Sequence, residues 1–314
     1  MLLKQVLDIV ELLDGAIADG HRVRGYFRDR GLKTVDVETV AGEGGGSTDF
    51  LRITLVGEDG VSRGGDAPTL GVVGRLGGIG ARPSQIGLVS DADGALCALS
   101  VGAKLLSMQK HGDILPGDVV ITTHVCPDAP TIPHDPVPFM SSPVDMKQMN
   151  RMEVSSDMAA VLTIDTTKGN RVINRNGFAI TPTVKEGYIL PPSKDLLEIM
   201  AITTGGAPVV LPLAQQDITP YGNDLDHINS LVQPATATDS PVVGVAITAE
   251  SVVPGCATGA SREVDIAAAG QFVVETAIRF TRGACHFYSQ EEFDRLTRLY
   301  GSMKHFQTLG AMRS

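Results

Sequence analysis

Apolar positions along the chain follow two periods, one near 3.6 residues and one near two, and the switches between them predict alternating helices and strands. In MLLKQVLDIVELL, Leu3, Val6, Val10 and Leu13 fall on one face and Gly15 marks the stop, which predicts an amphipathic helix. A second helix is predicted near residues 20–30, with Val23, Tyr26 and Phe27 as its apolar side. Residues 35–40 and 50–56 read as strands. The glycine-rich run between them lacks the Lys-Ser/Thr of a phosphate-binding loop, so it predicts a hairpin connection. Residues 69–80 read as a strand ending in glycines, and 86–89 as a short strand. From Ala95, the positions Leu96, Leu99, Ala103 and Leu106 predict a helix with Ser90 or Asp91 as its N-cap and Lys110-His111-Gly112 at its end. Further strands are predicted at 119–125, 158–165, 209–213 and 242–247. Helices are expected after the Ser193 cap, over 224–231, over 263–280, and after the capping box Ser289-Gln290-Glu291-Glu292.

This alternation predicts one α/β domain over residues 1–314, with a mixed, mostly parallel central sheet flanked by helices. The stretch 84–128 organises it, because strand, acidic turn, helix and second strand follow without a break. Two acidic clusters, around Asp91 and Asp128, then stand at the carboxyl ends of strands, and Asp165 ends a third. That edge of an open α/β sheet is where ligands bind. The 119–125 strand also delivers His124 and Cys126 at period two with Asp128. Six prolines within 127–143, with His134 and Asp135 among them, exclude helix and central strand, so an extended loop is expected to leave the site and cover it.

Thirty-six acidic against 26 basic residues give a net charge of −10, which disfavours nucleic acid and anionic membranes as partners. Lys4, Asp8 and Glu11 interrupt the apolar amino terminus, so it reads as a surface helix rather than a signal core. Four cysteines without CxxC spacing point to a reducing, cytoplasmic setting.

An acidic residue, a short spacer, a glycine, a helix, and then a Gly-Asp-apolar strand with an acidic end together resemble the core of the co-catalytic zinc exopeptidases, the aminopeptidase and deacylase scaffold, which is phosphorylase/hydrolase-like. The whole chain is similar to domain-of-unknown-function family 1177, a bacterial and archaeal family without an assigned activity. The exopeptidase resemblance implies Asp91 as a bridging metal ligand, with Asp128 and Asp165 on either side; the residues themselves offer His124, Cys256 or His134 as an additional ligand. It also implies zinc or manganese as cofactor, a homo-oligomer, and hydrolysis of small peptides, acylamino acids or other amides. The chain departs from the pattern in three places. Arg75 and Gly77 stand where the scaffold carries His-x-Asp, Pro127-Asp128 replaces paired glutamates, and 249–260 contains no histidine.

These departures leave three chemistries open. With a divalent metal among the carboxylates, Asp93, His134 or Asp135 would supply the missing base. Alternatively Arg75 neutralises the carboxylates by bidentate pairing, no metal is held, and the protein binds a small-molecule or peptide-like ligand or serves as a subunit of an assembly. In the third, Cys126 and Cys256 face each other across a substrate as in racemases and epimerases. Cys97 and Cys285 read as structural.

Overall fold

The computed structural model describes residues 2–307 apart from 16, 43–44, 76–87, 89, 127–130, 134–138, 221–222 and 251–260. The chain opens with helices α1 (Leu3–Leu13) and α2 (Gly20–Asp29), followed by strands β1 (Val35–Ala41), β2 (Ser47–Leu55) and β3 (Leu70–Gly74). Helix α3 (Asp93–Lys110) leads to β4 (Val119–Val125), and the two-residue strands β5 (Thr131–Ile132) and β6 (Phe139–Met140) pair with each other. Then come α4 (Met146–Glu153), β7 (Ala160–Thr166), β8 (Gly177–Ile180), β9 (Thr183–Lys185), β10 (Tyr188–Leu190), α5 (Lys194–Thr204), β11 (Val242–Thr248), α6 (Glu263–Thr281) and α7 (Gln290–Tyr300).

One nine-stranded sheet runs β1-β2-β4-β3-β7-β11-β9-β10, with β8 paired to β11. Its centre, β4-β3-β7-β11, is parallel, and its margins are antiparallel. The fold is thus the expected mixed α/β sheet flanked by helices. Strands β3, β4 and β11 are buried at every position, which is why they read as continuous apolar runs rather than alternating ones.

One face of the sheet packs on α3 and α6, and α1 packs on those two helices in turn. Val72, Ile121, Leu162 and Val245 meet Leu96, Leu99, Phe272 and Val273 there. Leu and Phe side chains fully buried at such a site each contribute ~1.5–3 kcal/mol by leaving water. The opposite face carries Val73, Val120, Val161 and Val242, together with α4 and the 3-10 turns at Gln215–Ile218 and Gln233–Thr236. The second face is thinner and holds the polar groups described below.

Three expectations are corrected. Helix α3 begins at Asp93 after a 3-10 turn over Ser90–Ala92 and has no side-chain cap. Ala92, which has no polar side chain, occupies the N-cap position instead of the expected residues. Residues 224–231 form bends rather than a helix, because side chains take the backbone N–H groups. Asn223 accepts from Leu225, Asp217 from Ile228 and Asn229, and Asn229 from Leu231. The 209–213 run makes only an isolated bridge, Ile180 to Val210. Pro208 and Pro212 flank it, and neither can donate to a ladder. The expected strand at 86–89 lies outside the described residues except for Leu88. Most of the proline-rich 127–143 loop also lies outside them.

Candidate functional site

The site is built on the register of the three central strands. Gly74 of β3 is level with Thr123 of β4 and with Ile164 of β7. The next residue along each strand therefore forms a row on one face, His124, Arg75 and Asp165, and the Arg75 amide continues the ladder to the Ile164 carbonyl at 2.8 Å. Phe50 of β2 extends the row by pairing with His124, ring centroids 5.5 Å apart. Adjacent strands lie about 4.8 Å apart, so His124 and Asp165 are separated by roughly 10 Å of backbone with Arg75 between them.

Helix α4 closes over this row. Its Met146, Met149, Asn150 and Glu153 share one face at spacings of three and four. Arg75, entirely buried, is paired with Glu153, donates to Asn150 Oδ1 at 2.8 Å, and sets its second amino nitrogen 2.9 Å from Met146 Sδ. The Glu153 backbone is fixed by Thr122, whose hydroxyl donates to its carbonyl at 2.7 Å. The free carboxylate oxygen of Glu153, Oε1, lies 3.5 Å from His124 Nδ1. Both atoms are buried and neither has a hydrogen-bond partner among the described residues.

A second charged group sits where α3 begins. Asp93 is paired with Lys168, both side chains fully buried, and accepts from the Ser261 hydroxyl at 2.5 Å. Asp91 lies two residues earlier, in the 3-10 turn, with Asp165 near it in space. Burial pushes the Asp91 carboxyl well above the usual carboxylate range, and Asp165 and then Asp93 push it further. Burial also raises Asp165, to about 6, against the lowering effects of the Arg75 guanidinium and of hydrogen bonds from Ser230 and the Thr166 amide. Asp93 is raised by its burial even with Lys168 beside it.

The backbone under these groups is tightly fitted. A Cβ at Gly94 would lie 2.4 Å from the Ile164 carbonyl and 2.6 Å from that of Arg75. Alanine in a helix is ordinarily more stable than glycine by ~0.5–1 kcal/mol. Here the sign reverses, and Gly94→Ala is expected to cost about 1–3 kcal/mol in chemical denaturation. A variant as stable as the parent would show that α3 is free to shift away from β3 and β7.

The structure therefore brings together Asp91, Asp93 and Asp165 at the start of α3, and Arg75 with His124 beneath α4. Cys126 is buried and its thiol donates to the Ser47 carbonyl at 3.5 Å, toward β2. Asp128, His134, Asp135 and Cys256 lie outside the described residues. Cys97 and Cys285 are buried, and burial raises both thiols, Cys285 to about 12. Three residues of the site, Asn150, Glu153 and Lys168, escaped the sequence reading. Glu153 falls on the same stripe as Met146 and Met149, a charge in an apolar face, which was the available signal. Lys168 reads as part of a Lys-Gly-Asn turn, and nothing local marks it as buried.

Among the described residues, no group of three or more His, Cys, Asp or Glu side chains is spaced to hold a metal ion. The donors present fit part of such a site. Asp91 and Asp165 are buried hard oxygen donors, while Arg75 is paired with Glu153 and Lys168 with Asp93. The remaining carboxylate expected at this edge, Asp128, lies outside the described residues. Among the described residues, no helix is long and apolar enough to cross a membrane.

The mixed sheet flanked by helices is shared with proteins of the aminopeptidase-like fold. A leucyl aminopeptidase from Trypanosoma brucei in complex with actinonin superposes with a TM-score of 0.53 at 11% identity, covering 88% of this chain and 61% of that one. The cytosol aminopeptidase of Coxiella burnetii gives 0.51 at 13% identity, covering 86% and 68%. The glutaminyl cyclase of Porphyromonas gingivalis gives 0.50 at 11% identity, covering 87% and 95%. The chain thus spans about two thirds of the two aminopeptidases, and part of each has no counterpart in it. Within that fold class, the chain belongs to the family described as protein of unknown function (DUF1177), which matches residues 38–310. No curated protein is similar to it in sequence.

Proposed function

We propose that the protein is a metal-dependent hydrolase of small peptides, acylamino acids or other amides, with Asp91 and Asp165 holding a divalent ion and Asp128 completing its ligands. The observation that carries this reading is the pair of buried carboxyl groups at the sheet edge. Asp91 and Asp165 lie beside each other, burial raises both, and a divalent ion between them would offset the cost of ionising them there. An oxygen-rich set suits manganese better than zinc. When bound, the ion would polarise the scissile carbonyl and activate water. The chain's own residues do the remaining work. Ser230 and the Thr166 amide orient Asp165, at 3.1 and 2.7 Å. Lys168 and Ser261 hold Asp93 away from the ion. The peptidases and the glutaminyl cyclase that share the fold support an amide-type substrate.

The alternative, in which Arg75 replaces the metal, requires its guanidinium to neutralise Asp91 and Asp165. Its contacts with Glu153, Asn150 and Met146 argue for the metal instead. The geometry described for Cys126 does not favour the two-cysteine reading. Elemental analysis of protein purified without chelator, repeated on Asp91→Ala, tests the proposal. Near-stoichiometric manganese or zinc is expected in the parent and its loss in the variant, followed by amide hydrolysis that only the parent supports. A metal-free parent that also takes up neither ion on titration would refute it.

A further inference from the structure

Arg75 has more donors than its surroundings use. Its Nη1 carries both oxygen contacts, to Asn150 and to Glu153. The opposite edge of the guanidinium is different: Nη2 meets the Met146 thioether at 2.9 Å, and Nε has no hydrogen-bond partner among the described residues. Nε–H and one Nη2–H point the same way, at the spacing of the two oxygens of a carboxylate. A wholly buried arginine thus keeps its bidentate edge free of any oxygen among the described residues, although buried donors are ordinarily satisfied. Met146, at the start of α4, is only half-buried, so the side chain that covers this edge also reaches solvent. Arg75 stands next to Asp165 in the row across β3 and β7, one strand spacing of about 4.8 Å away.

We propose that the Nε–Nη2 edge of Arg75 is a carboxylate-binding subsite, uncovered when the Met146 side chain moves aside, and that it holds acylamino acids and peptides by their terminal carboxylate. Guanidinium and carboxylate then pair through two parallel N–H···O bonds. Methionine suits the cover, because it is unbranched and changes rotamer readily. Asn150 and Glu153 hold Nη1 on the far side and keep the free edge aimed. One residue of chain spans at most ~3.3–3.6 Å, which is shorter than the distance between neighbouring strands. A carboxylate on Arg75 therefore brings the amide of the same residue toward Asp165, and no amide further along the chain comes as near. The choice of bond rests on the hydrolase reading: the amide cut is the last one before the carboxylate, and not the first after an amino terminus. The binding step itself needs no ion.

Isothermal titration calorimetry in EDTA tests the subsite apart from any ion. The probes are N-acetylalanine, N-acetylleucine and N-acetylphenylalanine, each paired with its own carboxamide, which has the same shape and no charge. The parent is expected to bind at least one acid about 10-fold or more tightly than its carboxamide. Met146→Ala, which removes the cover, is expected to bind the same acid more tightly than the parent does. The double variant Arg75→Met/Glu153→Leu, which strands no charge, is expected to lose the preference. A parent and a folded Met146→Ala that both bind acid and carboxamide alike, or bind neither, overturn the proposal. A preference that survives in the folded double variant overturns it equally. Acid preference in a protein that takes up no metal would refute the hydrolase reading and leave the subsite standing, whereas a metal-loaded, amide-hydrolysing protein without the preference would do the reverse.

Discussion

Arg75→Met is expected to lower the unfolding free energy by about 3–5 kcal/mol, the usual cost of stranding one member of a buried ion pair. Glu153 would be left fully buried without its cation, and Asn150 Oδ1 without its donor. The double variant Arg75→Met/Glu153→Leu should recover most of that loss, because replacing both members of a buried pair with apolar groups of similar size is close to neutral. Urea denaturation of the two single variants and the double variant gives the coupling energy directly. If Arg75→Met alone costs less than about 1 kcal/mol, the guanidinium is not compensating Glu153, and the charge assignment of the whole site must be redrawn. Lys168→Met should behave the same way through Asp93, with Asp93→Asn as its rescue.

In chelator, the protein is expected to be less stable at pH 7 than near pH 5. Asp165 is raised in the folded state to about 6 from the ordinary carboxylate value of 3.8. A group whose folded pKa is raised contributes stability that is complete below the unfolded value and is lost as pH rises through the folded one. The loss therefore falls between about pH 4 and pH 6, and a shift of roughly two units corresponds to about 3 kcal/mol. Asp91 is shifted in the same direction. Thermal melts in EDTA across this range should show the fall, Asp165→Asn should flatten it, and Mn2+ at pH 7 should reverse it. A melt profile in chelator that rises steadily from pH 5 to pH 7 would mean that Asp165 is compensated by a charge not identified above.

The central sheet was legible in the sequence because its strands are buried on both faces. Residues 119–125 and 242–247 are dominated by β-branched and apolar residues, broken only by His124 and Gly244. The helix over 263–280 was equally legible from its 3.6-residue stripe. The 224–231 segment misled because apolar positions at helical spacing say nothing about Asp217, whose carboxylate captures the amides of 228 and 229 from eleven and twelve residues upstream. At the site, Asp91 and Asp165 were visible as acids at strand ends. Their partners were not, since Lys168 meets Asp93 across 75 residues of chain and Glu153 meets Arg75 across 78. Pairing at such separations is set by the register of three strands, and no local pattern encodes it.

That register has a consequence for folding fidelity. Side chains alternate between the two faces of a strand, so a slip of β3 by one residue against β4 and β7 would drive the Arg75 guanidinium into the layer occupied by Leu96, Leu99 and Phe272. The correct alignment alone lets it meet Glu153. Parallel strands assemble late and are exposed to misalignment while they do. A single arginine that is tolerated in one alignment and intolerable in its neighbours acts as a proofreading device for the sheet, and it does so before any substrate or ion is present.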